Sequence, residues 1–337
     1  KSFSNANLFK WSESMRECMA STIEELGKKL LEKDAFKQVL GQGEAKKQLC
    51  SALLTGRHVL ILGNPGIGKT TLAKNIAELL PDMNSKGKKI KGIHRFVRVQ
   101  GSPDLTVEDL LGDIDPIKAL KFGPLSKEAF THGKIFKADQ GILFFDELNR
   151  CPEKLQNALL QVLQEGYATI GSYDVDFPTN FIFIATMNPE DSSTEKISDV
   201  LLDRFDVVYM DYPESLEIEK EIVENNGKEL VAVDDKLLTL MIHFVRVLRE
   251  DKRIEKKPSV RASLGLYERS QGNALLAGRK NVNFKDVKDA VLSVLAHRIQ
   301  LRPSAKYAMS PSDIIQETFN DFLRSEGKEY KEEGDVP

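Results

Sequence analysis

Residues 63–70 read Gly-Asn-Pro-Gly-Ile-Gly-Lys-Thr, a G-x-x-x-x-G-K-T pattern. Its glycines let the backbone curl until successive N–H groups face inward, which makes a nest for phosphate oxygens. The pattern assigns Gly63, Asn64, Pro65, Gly66, Ile67, Gly68, Lys69, Thr70 and Thr71 to phosphate binding. Lys69 would reach the β- and γ-phosphates of ATP and Thr70 would hold Mg2+. Further on, an apolar run ends in two carboxylates, Asp146 and Glu147. Asp146 suits the Mg2+ shell; Glu147, one residue on, points differently and can take a proton from an attacking water. Asn188 ends another apolar run and can hydrogen-bond that water or the γ-phosphate. Two arginines are candidates for transition-state charge: Arg204 in Leu-Leu-Asp-Arg-Phe-Asp, and Arg261 after Pro258-Ser259-Val260. Spacing alone assigns neither, since Asp203 or Asp206 can pair with Arg204 and Arg261 can be a surface residue.

The elements that would position these groups alternate between strand and helix. Val59–Leu62, Phe96–Gln100, Ile142–Phe145, Phe181–Met187 and Val207–Met210 read as strands. A helix over Thr71–Leu80 would aim its positive end at the phosphates. Such alternation predicts a parallel α/β sheet with the ligand at the carboxyl ends of the strands. Gly41-Gln42-Gly43 is a turn before a helix from about Glu44 to Thr55, and backbone groups at Leu40 and Gly41 could read an adenine edge. Within 101–138, Asp104–Leu111 reads as helix, and Asp113–Lys137 as an insertion of the long kind that is usually functional. Tyr167-Ala-Thr-Ile and Val175-Asp-Phe flank Gly171-Ser172 as a hairpin. Residues 84–95 form a basic loop that could touch nucleic acid but lacks interleaved aromatics, so it reads as solvated. Helical spacing runs through Met15, Met19, Ile23, Leu26 and Leu30. After Pro213 only helices are expected, to about Arg302. Then come an amphipathic segment, Ile314–Phe322, and an acidic tail expected to be disordered. The expected domains are 1–35, 36–212, 213–302 and 303–337.

Composition narrows the classes. The chain has 337 residues and a net charge of −3, so no global field advertises nucleic acid or anionic lipid. Cys18, Cys50 and Cys151 are far apart with no CxxC pairing, which argues against a disulfide framework or a structural zinc. No apolar run approaches the ~20 residues of a membrane span and no signal-peptide pattern opens the chain, so the expected location is cytoplasmic.

With these residues laid out, the sequence resembles an AAA+ ATPase, and more narrowly the MoxR and magnesium-chelatase motor-subunit branch. Six pieces in order carry the resemblance: Val39-Leu-Gly-Gln, Gly63-Asn-Pro-Gly-Ile-Gly-Lys-Thr, Ile142-Leu-Phe-Phe-Asp-Glu-Leu-Asn-Arg, Ala185-Thr-Met-Asn-Pro, Leu201-Leu-Asp-Arg-Phe and Pro258-Ser-Val-Arg-Ala-Ser. It implies an α/β core with a five-stranded parallel sheet between helices, followed by a smaller all-helical lid. Asn188 would be sensor 1, Arg204 the finger reaching a neighbouring subunit's nucleotide, and Arg261 sensor 2. The insert within 101–138 and the hairpin over 167–178 would be projected toward substrate.

The resemblance also implies a ring, usually a hexamer, that couples Mg2+-dependent ATP hydrolysis to remodelling of a client protein. One alternative is the motor subunit of a metal chelatase acting with a separate von Willebrand-domain partner. Another is a nucleic-acid motor, for which Lys88, Lys89 and Lys91 would be the contacts, and which the near-neutral charge disfavours. A nucleotide-gated scaffold without hydrolysis is disfavoured by Glu147.

Overall fold

Short apolar runs bounded by polar or glycine residues become strands that are covered on both faces. The computed structural model describes residues 19–32, 35–85, 88–123, 126–169, 176–189 and 197–325. The elements begin with α1 over residues 19–30, α2 (Gly43–Leu54), β1 (His58–Leu62) and α3 (Lys69–Leu79). Then come β2 (Met83–Ser85), β3 (Lys88–Ile90), β4 (Phe96–Gln100), α4 (Val107–Leu111), β5 (Gly112–Ile114), α5 (Pro116–Phe122), β6 (Phe130–His132) and α6 (Lys134–Lys137). β7 (Ile142–Asp146), α7 (Glu153–Glu165), β8 (Tyr167–Thr169), β9 (Asp176–Pro178), β10 (Ile182–Met187), α8 (Asp199–Leu202) and β11 (Phe205–Tyr209) follow. The chain closes with α9 (Leu216–Asn226), α10 (Asp235–Glu250), β12 (Ile254–Lys256), α11 (Val260–Leu276), α12 (Phe284–Leu295), β13 (Gln300–Leu301), α13 (Pro303–Lys306) and α14 (Pro311–Ser325). Two units separate by internal packing: Lys1–Gly63 with Gly68–Met210, and Asn64–Ile67 with Asp211–Pro337.

In the first unit β11, β1, β10, β7 and β4 lie side by side in that order, all parallel. Val59 to Ile61 and Ile142 to Phe145 are fully buried, as a two-sided sheet requires. Register gathers the polar strand ends at one edge. Leu62 lies beside Met187, Ala185 beside Phe145 and Asp146 beside Gln100. Leu143, Phe145, Leu155, Leu159 and Phe183 share one core with Leu110 and Ile135, which root the insert under the sheet. The insert itself is the antiparallel pair β5–β6 carrying α5, whose first turn is capped by Asp115. Its preceding helix starts at Val107 rather than Asp104, because Thr106 and Asp109 close a capping box there.

Two expectations change. Among the described residues of the basic stretch 84–95, β2 and β3 pair antiparallel and a tight turn over Gly92–Arg95 follows. Within it Lys89 pairs with Asp82 at 3.0 Å, and Arg95 is buried with its guanidinium on the carbonyls of Gln140 and Pro81. Three-residue strands carry too little periodicity for a polar run to signal them. The second unit is not helices alone: β12 and β13 pair antiparallel beneath its helical core. That core packs Leu238, Met241, Phe244 and Val245 of α10 with Leu266 of α11, Val291 of α12 and Phe319 of α14. No helix among the described residues is long and apolar enough to cross a membrane. The helical spacing ahead of residue 19, the turn Gly171-Ser172 and the tail 326–337 lie outside the described residues.

Asp139 offers a test of the sheet's lower edge. Burial pushes its carboxyl up to about 6, against a hydrogen bond received from the Asn180 N–H at 3.2 Å. A carboxyl raised this way favours folding when protonated, so its contribution is best below the unfolded value of 3.8 and declines as pH rises through about 6. Asp139→Asn should therefore raise the thermal midpoint at pH 7.5, by the equivalent of about 2 kcal/mol, and leave it unchanged near pH 3.5. An equal shift at both pH values would show that the charge is not the cause.

Candidate functional site

The loop after β1 is built on two glycines that need positive φ, Gly66 at 80° and Gly68 at 100°. Gly68 is the N-cap of α3, and its carbonyl accepts the Leu72 N–H at 2.9 Å. No acidic residue occupies the first turn of α3, so nothing there opposes an anion. The Gly63 N–H donates to Met187 at 3.3 Å, tying the loop to β10. Lys69 folds its ammonium back onto the Gly63 carbonyl. Positive-φ glycines leading into a helix N-terminus, with Lys69 and Thr70 on its first turn, are the features that a nucleotide's phosphates would need. The loop tip, Asn64–Ile67, belongs to the second unit. There Asn64 Nδ2 donates to Tyr212 Oη at 3.0 Å. A Cβ on Gly66 would come within 2.8 Å of Ser259 Oγ and 3.0 Å of Arg261 Cγ, so the arginine's stem lies directly against the loop.

At the end of β7 the carboxylates sit in a tight, fully specified turn. Asp146 accepts from Thr186 Oγ1 at 2.7 Å and from Arg98 Nη2 at 2.6 Å. Glu147 adopts the left-handed conformation, φ 57° and ψ 54°. Its N–H donates to the same Thr186 hydroxyl at 3.0 Å, so one buried side chain orients both acids. Its carboxylate accepts from Gln100 Nε2 and from Arg150 Nη1, each at 2.9 Å. Gly101, next in line after β4, donates to the Asp146 carbonyl at 2.7 Å. A Cβ there would lie 2.0 Å from the Glu147 carbonyl oxygen, a distance no side chain tolerates. A single carboxylate plus a threonine hydroxyl is the hard-oxygen set that Mg2+ accepts when phosphates complete its shell. Asp146 and Thr70 could therefore hold it, once Arg98 yields its place on Asp146.

The other predicted residues divide. Asn188 follows β10 at the same sheet edge, and its carbonyl accepts from Asn149 Nδ2 at 3.4 Å. Arg204 does not join this group. It precedes β11 at the opposite edge, where it bonds Gln164 at 3.2 Å and Asp203 at 3.4 Å, and its buried Nε has no hydrogen-bond partner among the described residues. Leu40 and Gly41 lie in the turn before α2, with Gly41 at φ 64°, and no described hydrogen bond ties them to the loop. Sequence reasoning passed over Arg98, Gln100, Gly101, Arg150 and Thr186. It also passed over Arg298, whose guanidinium is pushed down by burial and by Arg261 nearby. For Arg98 and Gln100 the usable signal was their place at the end of a strand read as simple alternation.

Two family profiles match, one described as AAA domain (dynein-related subfamily) over residues 58–205 and one as AAA lid domain over 247–318. The chain is 30% identical to the uncharacterized protein YeaC of Bacillus subtilis, covering 79% of this chain and 84% of that protein. It is 28% identical to Chaperone MoxR1 of Mycobacterium tuberculosis, covering 82% and 77%. To a magnesium-chelatase subunit ChlI homolog of Methanocaldococcus jannaschii it is 24% identical, covering 87% and 93%.

The Gly101 contact makes a direct prediction. Gly101→Ala should displace the Glu147 turn and lower turnover of ATP on the order of 10²-fold, the usual penalty for a small misplacement of a reacting group. Turnover within twofold of the native chain would show that the turn has slack.

Proposed function

This chain belongs to the AAA+ ATPases, in the branch that holds the MoxR chaperones and the magnesium-chelatase motor subunits, and we propose that it works as a homo-oligomeric ring, a hexamer, that remodels or activates a partner protein. One observation carries the ring. β1 and β11 run parallel in register, His58 opposite Phe205 and Leu62 opposite Tyr209. The phosphate loop leaves one end of that pair and Arg204 enters the other, six residues along the strand and about 20 Å away at some 3.3 Å per residue. An arginine side chain does not span that distance, so Arg204 would act on the nucleotide of a neighbouring subunit.

Within each site, Lys69 and the loop amides would bind the phosphates and Thr70 and Asp146 would hold Mg2+. The ion would neutralise charge on the phosphates. Glu147 would accept the proton of the attacking water, Asn188 would orient that water as sensor 1, and Arg261 would serve as sensor 2. The client surface we assign is α5. None of its residues is buried, and Ile117, Leu120 and Phe122 are 79%, 91% and 49% exposed. Apolar side chains so exposed on a projecting element mark a partner contact. The likeness to magnesium-chelatase subunits favours a second reading, in which the partner is a separate von Willebrand-type subunit. A nucleic-acid motor gains nothing from the basic stretch 84–95, whose Arg95 is buried and whose Lys89 is paired.

The test is turnover against protein concentration for the native chain, Glu147→Gln and Arg204→Ala, each alone and mixed. Activity should rise with assembly. Each variant alone should fall at least a hundredfold, and the mixture should partly recover, because some interfaces then join an intact Glu147 to an intact Arg204. A dilute monomer that hydrolyses ATP as fast, indifferent to Arg204→Ala, would overturn the shared site.

A further inference from the structure

The second unit contains a buried ionic cluster that the chemistry above does not use. Glu219 of α9 is fully buried, and Arg249 of α10 is 4% exposed. The two make a bidentate pair, Arg249 Nη1 and Nη2 each 2.6 Å from a different carboxylate oxygen. Ser263 Oγ donates to Glu219 at 2.6 Å, and Arg246 adds a longer contact at 3.4 Å. A buried pair with this geometry has one pose, since any other leaves a charge without a partner. Arg249 then uses what remains of its guanidinium. Nε donates to the Pro258 carbonyl at 2.8 Å, fixing the entry to α11 three residues before Arg261. Its flat face lies over the Tyr212 ring, 4.6 Å from the centroid.

Tyr212 carries that rigidity outward. Its hydroxyl accepts from Asn64 Nδ2 at 3.0 Å, inside the loop tip, and lies 3.5 Å from the Lys257 carbonyl. Residues 64–67 are thus held at two points, Asn64 on Tyr212 and Gly66 against Ser259 and Arg261. Both points lead back to Arg249, one through the ring and one through Pro258.

We propose that Tyr212 and Arg249 are positioning residues for nucleotide binding. Arg249 seats the Tyr212 ring and the Pro258 turn, and the Tyr212 hydroxyl fixes the loop tip through Asn64 in the shape that receives phosphates. Neither side chain is a catalytic residue. The proposal rests on residues 63–70 being the nucleotide site, which Lys69→Ala checks separately.

Tyr212→Phe keeps the ring under Arg249 and removes only the hydroxyl. Its Kd for a non-hydrolysable ATP analogue should rise about three- to tenfold, the effect of one hydrogen bond. The thermal midpoint should stay within about 2 °C, and turnover at saturating ATP within twofold, so that KM moves and kcat does not. Asn64→Ala should weaken binding by a similar factor, and the double variant should bind no worse than the weaker single one. Arg249→Lys keeps the charge facing Glu219 but loses the Nε bond and the planar stack, and should weaken binding further. Native affinity in Tyr212→Phe, or effects that multiply in the double variant, would overturn the proposal. If Lys69→Ala binds the analogue as tightly as the native chain, the loop is not the site and both readings fall.

Discussion

The turn that follows β7 sets the tolerance for everything near it. Glu147 occupies left-handed backbone, a conformation that costs a non-glycine residue roughly 1–2 kcal/mol. It persists because its surroundings leave no alternative: the Gly101 N–H holds the Asp146 carbonyl, and the Thr186 hydroxyl takes the Glu147 N–H. Strain maintained in this way is characteristic of functional sites. The register of β4, β7 and β10 is what brings those two partners to one place. A slip of one residue in either pairing would turn Thr186 or Gln100 to the other face.

Charge around that turn is stored on modest internal partners. Arg98 and Arg150 are about half exposed where they meet Asp146 and Glu147, and such pairs contribute little to stability. Lys69 rests on a carbonyl of its own loop. Phosphates offer each of these cations a stronger partner than the one it has. On the proposed reading, nucleotide binding would exchange one set of contacts for another at small cost and leave Asp146 and Glu147 open to the ion and the water. The Glu219–Arg249 pair is the opposite case, fully buried and not exchangeable, which suits a fixed mount rather than a switch.

Much of this was readable from residue order. The G-x-x-x-x-G-K-T pattern, the apolar strands and the paired carboxylates are local patterns, and in the structure the loop follows β1 and the acids end β7 at the same edge of the sheet. Arg98, Gln100 and Gly101 were not legible, because their meaning comes from β4 pairing with β7 some 46 residues away. In isolation Phe-Val-Arg-Val-Gln is only alternation, in which every second residue reads as solvent-facing. Thr186 was hidden the same way, inside a run that signals burial and nothing more. Tyr212 and Arg249 meet across 37 positions, and no spacing rule relates them. The hairpin β2–β3 and the pair β12–β13 escaped because two or three residues cannot show a period.

The measurement that bears most directly on the carboxylate turn is the affinity of a non-hydrolysable ATP analogue with and without Mg2+, by calorimetry, in the native chain, Asp146→Asn and Arg98→Gln. If Asp146 leaves Arg98 to hold the ion, Mg2+ should tighten binding in the native chain, more so in Arg98→Gln where the competitor is gone, and hardly at all in Asp146→Asn. A full Mg2+-dependent gain in Asp146→Asn would contradict the account, because the ion would then be held without the residue around which the turn is built.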